Sequence, residues 1–144
     1  MKKIVYILSL ILITASFNTS VFAGENPKEK SRITLDGIEK NLLSGVKSEN
    51  SGLKTSSAYF LGEIKSENAV IPLMGMLHNE IDEGNRLMAA LSLFKIGTQK
   101  SIYAVKQAAK FDKSERVRRI CALFYNVYRF EKSAEKNLEL ASLN

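Results

Sequence analysis

A chain of 144 residues, 45% hydrophobic and 25% charged, suits one packed domain and is too apolar for a disordered segment. Its single cysteine, Cys121, excludes an internal disulfide framework, and its formal net charge of +6 is mild. With one histidine, His78, no paired-cysteine spacing and no Gly-rich phosphate loop, no metal or other cofactor is expected.

The first predicted element is an export signal. Lys2 and Lys3 precede an uncharged apolar run from Ile4 to Phe17, and Val21-Phe22-Ala23 places small residues at the −3 and −1 positions of a cleavage site. That order predicts a secretory signal peptide over 1–23, cleaved after Ala23, and an exported protein, periplasmic or secreted. The run falls short of the roughly 20 apolar residues that span a bilayer, so no stable membrane insertion is expected after cleavage. Loss of Lys2 and Lys3 leaves 19 basic against 15 acidic residues, a net charge of +4. An exported chain of that charge is not expected to bind nucleic acid.

Residues 24–34 are polar and read as a flexible leader, residues 35–130 as the folded domain, and residues 131–144 as a charged C-terminal tail. The folded part repeats with a period of 32. Leu53 to Ile64 aligns with Asn85 to Ile96 and with Val117 to Tyr128. Lys54, Arg86 and Arg118 share a column; Ser57, Ala89 and Cys121 share a small one; Ala58, Ala90 and Ala122 coincide. Leu61 and Leu93 match, as do Ile64 and Ile96. Upstream, Val70 to Leu77 lies 32 residues before Ile102 to Ala109, and Ile38, Leu42, Leu43 and Val46 form a weaker first copy.

Columns at 57, 61 and 64 form one face of a helix. Each unit therefore reads as two helices, near 35–46, 51–64, 67–78, 83–96, 99–110 and 114–129. Asp36, Ser66 and Ser114 are candidate N-caps, and Gly97 can end a helix in a left-handed conformation. The fold expected is all-α, an α-solenoid of three antiparallel helix pairs with a tail helix as an optional addition. One pair cannot bury its own apolar face, so the three stack around one core, and the small columns let neighbouring helices approach.

These residues resemble the HEAT-like repeats in their short bacterial form, also seen in phycobilisome-lyase-type repeat proteins. The second-helix pattern Val-Arg-x-x-Ala-Ala-x-x-Leu-Gly-x-Ile appears as Val117-Arg118-x-x-Cys121-Ala122, as Arg86-x-x-Ala89-Ala90-x-x-Leu93-x-x-Ile96-Gly97 and as Ala58-x-x-Leu61-Gly62-x-Ile64. The first-helix pattern appears as Ala69-Val70-x-Pro72-Leu73-x-x-x-Leu77. Phe94 and Tyr125-Asn126 depart from it. The resemblance implies a solenoid whose second helices line a concave face. A single cysteine and histidine in an exported chain give no support for carrying over the lyases' action on bilin chromophores.

His78 reads as a helix C-terminal cation, and Glu80, Asp82 and Glu83 as charge at a helix N-terminus. The Lys54/Arg86/Arg118 column has two readings. In one, each cation pairs locally, Asp82 with Arg86 and Glu115 with Arg118; in the other, the column engages an acidic partner. Beside the buried columns, Tyr59, Leu87, Leu91 and Leu123 fall where solvent is expected, and an exposed apolar stripe marks an interaction surface. They are the candidate partner-binding anchors, with Arg86, Arg118 and Arg119 as a polar rim. A second reading has the segment from Leu138 to Leu143 fold back over them. The function expected is a non-catalytic protein-binding module or scaffold. The rivals are an enzyme subunit or lyase-like HEAT protein, and a self-associating structural envelope protein.

Overall fold

A computed structural model of the protein describes residues 34–142. The expected signal peptide and all of the expected leader except Thr34 lie outside the described residues. Six helices follow in order: α1 (Leu35–Gly45), α2 (Ser51–Glu63), α3 (Val70–Asn79), α4 (Glu83–Ile96), α5 (Gln99–Phe111) and α6 (Glu115–Ser142), with a 3-10 turn, Glu67–Ala69, leading into α3. No strand occurs among the described residues. None of their helices is long and apolar enough to cross a membrane.

Local chemistry sets the helix ends. The side chains of Asn50, Asp82 and Ser114, spaced by 32, accept the backbone N–H of Leu53, Asn85 and Val117. Every second helix thus starts with the same cap. Ser66 caps the turn ahead of α3, whereas α1 is capped by Thr34, which accepts from Gly37 N–H, and not by Asp36, which sits one step inside the helix. Pro72 lies in the first turn of α3, where a missing N–H costs nothing. Gly97 ends α4 with φ +71, a conformation glycine adopts freely.

Helices α1/α2, α3/α4 and α5/α6 pack as pairs, the second helices α2, α4 and α6 lie side by side, and α3 lies beside α5. The all-α stack of three pairs is therefore present, with α4 central to it. Ala58, Leu61, Leu73, Ala89, Ala90, Leu93, Val105, Val117 and Cys121 fill its core. At Gly62, a Cβ would sit 2.8 Å from Ser92 Cα, so α2 and α4 touch there backbone to backbone. Phe94 stacks on Phe124 at 5.1 Å. Ile64 departs from its column: it is the C-cap of α2, beyond the last turn, and is 42% exposed.

The C-terminal segment differs most from expectation. Instead of stopping near 129, α6 runs unbroken for 28 residues. No Gly or Pro interrupts it, and its last turns are rich in Glu, Lys, Ala and Leu, which all favour helix. Leu138 and Leu140 are exposed on this extension, so the segment does not fold back over the apolar stripe.

Candidate binding surfaces

The four predicted anchors do not share one fate. Leu87 is half-buried against the core. Tyr59 is half-buried, with Phe60 edge-on at 5.5 Å and the Lys95 ammonium 4.3 Å above its ring. Lys95 is in turn bonded to Glu63, whose carboxyl it holds below the usual carboxylate range. Leu91 is also half-buried. Leu123 alone is open, at 56% exposure, and continues along α6 into the exposed Val127 and Phe130. The spacings 123, 127 and 130 put these three on one side of the helix.

The cation column is mostly internal structure. Lys54 Nζ lies 2.5 Å from Glu80 Oε1, and Asn85 Nδ2 donates to Glu80 Oε2 at 3.1 Å. Lys54 first, and Asn85 after it, hold the Glu80 carboxyl below its ordinary range. Arg86 grips Asp112 with two bonds, Nε to Oδ2 at 3.0 Å and Nη2 to Oδ1 at 3.1 Å. Its Nη1 donates to the carbonyls of Glu80 and Ile81. With side-chain exposures of 3% and 7%, this pair is buried. Arg86 is therefore not part of a solvent-facing rim, because its guanidinium is spent inside the stack. Its acid is Asp112 of the next unit rather than Asp82, whose side chain is occupied as a cap. Arg118 is half-buried and donates through Nη1 to the carbonyls of Asp112 and Lys113; no bond to Glu115 forms. Arg119 is exposed, as a rim residue should be.

A third surface was not expected. Between α3 and α5 lies a cleft of about 500 Å³. Met74, Leu77 and His78 form one wall; Tyr103, Ala104, Gln107, Ala108 and Phe111 form the other; Arg86, Asp112 and Lys113 close one end. Tyr103 and Phe111 stand 58% and 76% exposed. The signal in the sequence is the run Tyr103, Gln107, Phe111, a four-residue spacing that lines one side of a helix next to the small Ala104 and Ala108. It becomes a cleft only because the stack sets α5 beside α3.

The reactive side chains are accounted for. Cys121 is fully buried, and its thiol is pushed up to about 12, first by burial and then by nearby Asp112, so it is no nucleophile at neutral pH. His78 is in the last turn of α3 and lines the cleft, which it shares with Asp112. Asp112 gives both carboxylate oxygens to Arg86 and one also to the Ser114 N–H, so it is no free base. Of the three neighbouring acids, Glu80 holds Lys54, Asp82 caps α4, and Glu83 accepts from Ser114 and Arg116. Among the described residues no cluster of three or more His, Cys, Asp or Glu could hold a metal ion. No protein-family model matches the chain, and no match is found among curated proteins.

Proposed function

We propose that the chain is an exported, non-catalytic interaction module, a HEAT-like stack that binds a protein partner on its surface. The cleft between α3 and α5 carries this reading. It is concave and lined mainly by apolar side chains, with two exposed aromatic rings at its wall and a few polar groups at one end. Such a cleft can take apolar side chains of a partner and leave the polar groups to orient them. Leu123, with Val127 and Phe130, offers a second apolar contact on α6, and Arg119 a charged edge to it. The half-buried Tyr59 and Leu91 contribute less, since much of their surface is already covered. The commitment of Asp112 to Arg86 argues against an acid–base role for the His78 side of the cleft.

Filling the cleft is the direct test. Ala108→Phe places a ring among the lining residues. It should weaken partner capture from envelope extracts by about tenfold or more, with helical circular dichroism unchanged, as expected when a ~1.4 kcal/mol anchor is lost. Undiminished capture by folded A108F sinks the cleft as the site. Loss on Leu123→Asp alone would move the site to α6. Export has its own check: protein recovered from the envelope or medium should begin at Gly24 on N-terminal sequencing, and an intact Met1 would refute cleavage.

A further inference from the structure

The ladder of ion pairs has one rung with no acid. Lys54 in α2 reaches forward to Glu80 in the next unit, and Arg86 in α4 reaches forward to Asp112 in the one after. Both steps span 26 residues. Arg118 in α6 occupies the same column. Its Nη1 bonds the carbonyls of Asp112 and Lys113 just as Arg86 Nη1 bonds those of Glu80 and Ile81, 32 residues earlier. Among the described residues, however, no carboxylate pairs with it. The guanidinium is held ready by two carbonyls, and the side that grips the acid in the previous unit is unused.

The residues around it change character in the same direction. Met74 and His78 of α3 face α5 across the cleft; their counterparts 32 residues on are Lys106 and Lys110. Where the second unit offers a mainly apolar wall to the third, the third carries cations at the corresponding positions. Lys106 is half-buried beside the Tyr125 ring, and Lys110 and Arg119 are exposed. Glu115, the counterpart of Glu83, is the acid of this set and is exposed as well. Glu83 takes the Ser114 hydroxyl of the next unit, so Glu115 is placed to take a hydroxyl in the same way.

We propose that this face of the third unit docks an acidic turn of a protein partner, whose carboxylate takes the place on Arg118 that Asp112 takes on Arg86. The match sought is a carboxylate followed two residues later by a hydroxyl that starts a helix, as in Asp112-Lys113-Ser114. A second copy of this chain is a poor occupant. In its first unit the acid column holds Ser48, whose Oγ accepts from the Asn50 N–H as Asp112 Oδ1 does from Ser114, so the leading end carries no acid in that column. The proposal rests on the interaction-module reading but not on the cleft.

The test uses a synthetic peptide with blocked ends covering residues 111–115, which has two acids and one base and so a net charge of −1, as the acidic turn, added to the full chain and followed through arginine side-chain Nε–Hε NMR signals. The Arg118 signal should move on titration, and the peptide with Asp112→Asn should bind about tenfold more weakly, the loss expected for a charged hydrogen-bonded partner. Arg118→Gln in the protein should weaken binding to a similar degree. Lys110→Gln should weaken it less and make its salt dependence shallower. Because Arg118 also ties down two carbonyls, Lys110→Gln guards against a fold effect: undiminished binding by both variants overturns the proposal. So does equal binding of the Asp and Asn peptides, or an Arg118-dependent response to polyphosphate without one to the peptide. Concentration-dependent self-association that Arg118→Gln abolishes would overturn it in favour of a second copy. Ala108→Phe should leave the titration unchanged, which separates failure here from failure of the cleft.

Discussion

Replacing Arg86 by Ala should lower the unfolding free energy by about 3–5 kcal/mol. The reason is the acid left behind. Asp112 is buried with Arg86, and both of its oxygens face the guanidinium. Without Arg86 it keeps only the Ser114 N–H, and the carbonyls of Glu80 and Ile81 lose their donor as well. A charge stranded in that setting costs more than the pair contributed, and domains of this size have only about 5–15 kcal/mol to lose. Urea unfolding followed by circular dichroism measures the change. The double variant R86A/D112A should recover part of the loss, because it removes the stranded charge. A loss under ~1 kcal/mol in R86A would show that water reaches Asp112 and that the pair is not a structural tie.

Leu93→Ala should cost a comparable ~2–5 kcal/mol, by a different route. Leu93 is fully buried on α4, which packs against α2, α3, α5 and α6. Shortening it leaves a cavity that four neighbouring helices cannot all close. Leu123→Ala is the matched control: the same chemistry on the open side of α6 should change stability by about 0.5 kcal/mol or less. Thermal unfolding separates the two, since about 2 kcal/mol moves the midpoint of a ~100-residue domain by roughly 8 °C or more. Equal midpoints for the two variants would mean that the core around Leu93 repacks freely, contrary to its place at the centre of the stack.

Much of the architecture was legible in the residues because a period of 32 acts on the backbone directly. Ser66 and Ser114 read as caps and Gly97 as a stop, and the columns at 57, 58 and 61 hold small or aliphatic side chains in the first two units, whereas the caps at Asn50 and Asp82 emerged only from the structure. Local chemistry did not reveal where α6 would end. The change of composition near 130 looked like a tail, yet nothing there breaks a helix, and charge alone does not. The fate of the apolar stripe was equally hidden: positions beside a buried column are exposed only if no neighbour covers them. Leu87 and Leu91 belong to the middle unit, with a neighbour on each side, and Tyr59 is covered by Lys95 of that unit, whereas Leu123 lies in the third unit, which has a packed neighbour on one side only among the described residues.

The starts of the helices, their pairing and most of the core columns can be read from the residues, since each depends on side chains within one 32-residue period. Which charges are spent inside and which face outward depends instead on how neighbouring units pack. Arg86 and Arg118 occupy equivalent positions, but one has a following unit that supplies Asp112 and the other has none among the described residues. The cleft belongs to the same class of facts: its walls lie on α3 and α5, and apolar side chains become a binding surface only when packing sets them face to face.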